Sequence, residues 1–136
     1  MSNWGTLTFE DDITTDWITE LQDAEDVREF LLSCITLDEE EEPDNDGSLI
    51  IMAACEVIVG LLDEPRKGLP EEVTDWLDHN ECDDISDVPT IAHAALSKAL
   101  ADDSVLVTGW KEAEDYSEWR DGVDELAAII QQLADA

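Results

Sequence analysis

The chain has few basic residues. Its 136 residues include 6 lysines and arginines against 37 aspartates and glutamates, so the formal net charge is −31. Proteins that bind nucleic acids neutralise phosphates with lysine and arginine, and basic segments likewise attract proteins to anionic membranes. The composition therefore predicts that the protein binds neither nucleic acids nor membranes.

The sequence also lacks the motifs of common catalytic and metal centres. It has two histidines, and neither a Gly-x-Ser-x-Gly motif nor a glycine-rich phosphate loop occurs. A segment beginning at Glu42 resembles the start of an EF-hand calcium-binding loop. The twelfth position of such a loop requires a bidentate glutamate, but this chain has Ala53 there. His79 and Cys82 lack a second ligand pair at zinc spacing. We therefore predict a protein that is not an enzyme and has no cofactor and no metal.

Cysteines are few and odd in number. Cys34, Cys55 and Cys82 are widely spaced, and the first two lie in apolar helical patterns, which predicts buried thiols in a reducing compartment. The N-terminus, MSNWGTLTFEDD, has neither the basic region nor the apolar core of a signal peptide. The predicted location is cytoplasmic.

One long apolar segment is present. Residues 48–62, SLIIMAACEVIVGLL, are interrupted by polar side chains only at Ser48 and Glu56. Such a run is long for a strand and short for a membrane span, which predicts a helix buried on most of its faces. A helix of this kind needs other helices around it, so we expect residues 48–62 at the centre of a bundle.

The flanking segments show helical spacing. Ile13, Trp17 and Leu21 form one stripe, and a longer stripe begins at Trp119. Asp11 or Asp12 is placed to cap the first helix. We predict a single all-α domain, residues 1–136, with six or seven short helices and a short ordered N-terminal arm. The further helices are expected at residues 24–37, 70–79, 89–100 and 105–110.

An acidic segment precedes the central helix. Residues 38–47, DEEEEPDNDG, combine seven acids with turn-forming residues. We predict a mobile acidic loop here, followed by an N-cap at Ser48 or Asp46.

A series of short landmarks spans nearly the whole chain. They are Trp4-Gly5, Phe9-Glu10-Asp11-Asp12, Asp16-Trp17, Ala53-Ala54-Cys55-Glu56-Val57, Leu61-Leu62, Leu69-Pro70, Ala99-Leu100, Asp103-Ser104, Trp110 and Trp119. The order of these landmarks resembles that of a bacterial family, the domain of unknown function 4259. This chain departs from the family pattern in having Ser2-Asn3 before its first Trp-Gly pair and a long acidic insert at residues 38–46. The resemblance implies a small helical domain and no particular reaction.

Glu56 is the most informative single residue, because an unpaired buried carboxylate costs several kcal/mol or becomes protonated. We expect it to accept a hydrogen bond from the indole of Trp4 or Trp17, from backbone N–H groups of the N-terminal arm, or from Lys98. A functional alternative makes Glu56 part of a binding pocket. The candidate binding or structural site comprises Trp4, Asp11, Asp12, Asp16, Trp17 and Glu56, and the pocket alternative adds His93.

Three explanations of the acidity remain open: a solvated surface suited to a saline cytoplasm, a surface for a basic partner, and metal binding. The leading hypothesis is a non-enzymatic protein-interaction module that presents acidic faces to a basic protein, in the manner of an inhibitor or a nucleic-acid mimic. The alternative is a domain that binds a small molecule or a divalent metal around Glu56, Asp12 and Asp16.

Overall fold

The structure, a computed structural model, describes residues 12–36, 45–63, 71–79, 85, 87–101, 104–111 and 116–135. These residues form seven helices and no strand, which confirms the all-α fold predicted from the sequence. The expected N-terminal arm lies outside the described residues. The helices are α1 (Asp12–Asp23), α2 (Val27–Ile35), α3 (Asn45–Leu62), α4 (Glu71–His79), α5 (Val88–Ala99), α6 (Val105–Trp110) and α7 (Tyr116–Asp135).

The helix α3 lies at the centre of the bundle. It contacts each of the other six helices, and every residue from Ile51 to Val59 is buried. A helix that is apolar around its whole circumference removes that surface from water only when neighbours cover all its sides. The predicted central position of this segment is therefore confirmed.

The N-terminal end of α3 differs from the prediction. The helix already includes Asn45, so an N-cap at Ser48 or Asp46 is wrong, and residues 45–47 belong to the helix and not to a loop. Asn45 and Asp46 are turn-forming residues, but they also suit the first turn of a helix, where an acid complements the dipole. Helical geometry at Gly47 also rules out the EF-hand register. The rest of the predicted acidic loop, residues 38–44, lies outside the described residues.

The first two helices are separated by a break at residues 24–26. Asp26 has extended backbone angles, φ −116° and ψ 99°, and its carboxylate accepts a hydrogen bond from the Glu29 N–H. Because this cap starts a new helix, α2 begins at Val27 and is shorter than the predicted segment 24–37.

The last three helices are linked by specific contacts. Pro89 lies in the first turn of α5, where its missing N–H is not needed. Ser104 caps α6 by accepting a hydrogen bond from the Val107 N–H, and its hydroxyl donates to the Ala99 carbonyl at the end of α5. The helix α7 buries four residues of the predicted stripe and leaves its acidic face exposed, while the fifth, Leu133, is half-buried against the core. The four are Trp119, Val123, Leu126 and Ile130.

The helix α4 approaches α3 closely at Gly60. A Cβ atom placed on Gly60 would lie 2.6 Å from Leu77 Cδ1. Contacts this short do not persist, so an added methyl group would force the Leu77 side chain to move. The missing side chain at position 60 thus sets how closely these two helices pack.

Gly60→Ala is expected to leave the free energy of unfolding nearly unchanged or slightly lower, because a propensity gain of up to about 1 kcal/mol is offset by displacement of Leu77. In a Leu77→Ala background the same substitution should raise it by up to about 1 kcal/mol. Urea unfolding of the four proteins measures this coupling. Equal effects of Gly60→Ala in both backgrounds would contradict the proposed steric contact.

Candidate functional site

The six candidate site residues do not gather in one place. Trp17 on α1 and Glu56 on α3 are buried, with 2% and 4% of their surfaces exposed. Asp16, next to Trp17 in sequence, is exposed to solvent, so the structure separates it from the core that holds Glu56. Trp4, Asp11 and the side chain of Asp12 lie outside the described residues. Within the described residues, no group of three or more potential metal ligands occurs.

Glu56 lies on the buried part of α3, and its neighbours in sequence, Cys55 and Val57, are both fully buried. Glu56 takes part in a polar or electrostatic interaction, and an isolated buried charge would be costly. Burial raises the pKa of the Cys55 thiol far above its usual range, and the charge of Glu56 raises it further. Cys55 is therefore a protonated, inert thiol and not a nucleophile.

The indole of Trp17 contacts α2. Its Nε1–H donates a hydrogen bond to Cys34 Sγ over 3.3 Å, and its ring centroid lies 5.5 Å from that of Phe30. The Trp17 indole is one of the donors that the sequence predicts for Glu56, whereas the sequence does not predict its hydrogen bond to Cys34. The only sequence signal for Cys34 is its place in an apolar helical pattern.

The thiol of Cys34 is half-buried and forms no disulfide bond. Burial raises its pKa, although the hydrogen bonds from Trp17 and with Ser33 act in the opposite direction. A thiol with a raised pKa carries little thiolate at neutral pH and reacts slowly. Cys34 therefore acts as a packing and hydrogen-bonding group between α1 and α2. Cys82 lies outside the described residues.

Arg28 forms an ion pair that joins α2 to α5. Its two terminal nitrogens donate to the two carboxylate oxygens of Asp87 over 2.5 and 2.8 Å. Asp87 is the residue before α5, yet its side chain makes no capping hydrogen bond there, because it faces the guanidinium. Hydrogen bonding from Arg28 lowers the pKa of Asp87 to about 2. Sequence reasoning missed this pair because 59 positions separate its members.

Asp87→Asn is expected to lower the unfolding midpoint at neutral pH, because it removes the charge that Arg28 binds. The folded-state pKa of Asp87 is depressed from 3.8 to about 2, so this stabilisation is present above pH 3.8 and is lost as the pH falls through 2. The difference between wild type and Asp87→Asn in urea midpoint should therefore shrink over that interval.

The matched control for this experiment is Asp121→Asn, which removes an exposed carboxylate of α7 and relieves the same overall charge. At neutral pH, Asp121→Asn should lower the urea midpoint less than Asp87→Asn does, or raise it, since repulsion within the acidic chain decreases. A pH-independent difference between Asp87→Asn and wild type would contradict the assignment.

Arg120 is also engaged within the protein. Its Nη1 donates to the Leu100 carbonyl at the end of α5 over 3.0 Å, and its Nε donates to Asp124 over 3.1 Å. A cation at the C-terminal end of a helix interacts favourably with the helix dipole. Arg28 thus joins α2 to the start of α5, and Arg120 contacts both the end of α5 and Asp124 on its own helix.

Two neighbouring helices carry matched rows of exposed acids. On α1 and on α4 the acids recur at positions i, i+4 and i+7, which places them along one side of each helix at intervals of about 5–6 Å. The helices α1 and α4 contact each other. We call these two rows the α1–α4 acidic surface: Asp16, Glu20 and Asp23 on α1, and Glu71, Asp75 and Asp78 on α4.

The fold and its surface define a class: an all-α bundle built around one buried helix and covered by acidic helix faces. The chain belongs to the family described as Domain of unknown function (DUF4259), whose family pattern matches residues 2–122. This confirms the resemblance inferred from the sequence. No curated protein and no solved structure matches the chain significantly. Every helix in the described part of the chain is too short or too polar to cross a membrane.

Proposed function

We propose that the protein is a non-enzymatic interaction module that binds a basic protein through the α1–α4 acidic surface. The observation that carries this proposal is the pair of acid rows at the same i, i+4, i+7 spacing on two helices in contact. Such rows offer a partner several carboxylates at once, and several weak ion pairs together give both affinity and register.

The ion pairing inside the protein supports this surface as a binding face. Within the described part of the chain, none of its six carboxylates forms an ion pair, whereas Arg28 and Arg120 pair with Asp87 and Asp124. A partner would therefore meet carboxylates that water alone solvates, so binding would not first require the breaking of internal pairs.

The chemistry of the partner follows from that of the surface. Lysine or arginine residues spaced along a helix or a strand would face the two rows, and the complementary potentials would accelerate the encounter. The acidic surface would repel nucleic acids and anionic lipids, which excludes them as direct partners. Cys34 and Cys55 form no disulfide bond, which fits the reducing, cytoplasmic setting that we propose for the interaction.

The proposal is tested by neutralising one row. The triple variant Asp16→Asn, Glu20→Gln, Asp23→Asn is expected to weaken binding of a basic partner captured from cytoplasmic lysate by about tenfold. That factor follows from the loss of ion pairs worth about 0.5 kcal/mol each, since about 1.4 kcal/mol changes an equilibrium constant tenfold. Affinity is measured by titration at one fixed ionic strength.

A second triple variant provides the control: Glu118→Gln, Asp121→Asn, Glu125→Gln on the exposed face of α7. It changes the net charge by the same amount, so a partner attracted only by overall charge would lose equal affinity with both variants. Equal losses of affinity for the two triple variants would contradict the proposal. It would also be contradicted if no captured basic protein bound more weakly to the variant of the α1 row.

A further inference from the structure

We draw no further inference here: the strongest candidate, the fully buried Ser48 hydroxyl in the first turns of α3, finds no hydrogen-bond partner among the described residues, but nothing in the structure shows what ligand would occupy that position.

Discussion

Trp17→Ala is expected to lower the free energy of unfolding by about 3–5 kcal/mol, the usual cost of deleting a buried tryptophan. Trp17 is 2% exposed, so the substitution removes a large apolar surface and leaves a cavity between α1 and its neighbours. It also removes the Nε1–H that donates to Cys34 and the ring contact with Phe30. Because small domains are stable by only about 5–15 kcal/mol, much of the total would be lost. Urea unfolding followed by circular dichroism measures the effect.

Trp17→Phe separates the ring from its hydrogen bond. It keeps an aromatic side chain against Phe30 and removes the donor, so the expected loss is smaller, about 1–2 kcal/mol. Combined with Cys34→Ala, it should cost less than the sum of the two single substitutions, because both remove the same hydrogen bond. Strict additivity would show that the contact contributes nothing to stability. A loss under about 1 kcal/mol for Trp17→Ala would contradict its place in the core.

Glu56→Met is expected to lower the free energy of unfolding by about 3–5 kcal/mol, the cost of removing one member of a buried interacting pair. Methionine has nearly the length of glutamate, so the substitution removes the charge and the acceptors with little change in packing. Glu56 is 4% exposed and takes part in an interaction, so the substitution would remove a polar interaction from the interior. Glu56→Gln keeps the shape and one acceptor oxygen, and should cost less.

The sign of the Glu56→Met effect separates the two functional hypotheses. If the carboxylate is satisfied within the protein, the variant is less stable than wild type. If the variant is equally or more stable, the carboxylate is a buried charge retained for an external ligand, as the small-molecule or divalent-metal alternative requires. In that case micromolar calcium or manganese should raise the melting temperature of wild type and not of Glu56→Met.

The helices could be predicted wherever apolar residues follow a clear period. The segment 48–62 is apolar around its circumference and α7 has a single stripe beginning at Trp119, so burial alone determined where both lie. Helix ends were harder to predict. The residues around Asn45 suit either a turn or a first helical turn, and the choice between them depends on packing against other helices.

For the candidate site, the sequence predicts the burial of two residues. Burial of Trp17 and Glu56 follows from their positions on apolar stripes, and the structure places both in the core. The contact of Trp17 with Cys34 and the pairing of Arg28 with Asp87 depend on how α1, α2 and α5 are arranged in space. Local sequence patterns do not predict such contacts, since the two partners of each contact are far apart in the chain.

The central position of α3 determines how the protein unfolds. Because α3 contacts all six other helices, each of them depends on α3 for part of its apolar contact, and α5 and α7 also pack against each other. We therefore expect fragments cut on either side of residues 45–62 to be less stable than the intact chain. The protein should unfold as one cooperative unit, because detachment of any outer helix exposes part of α3 and so destabilises the packing of the other helices against it.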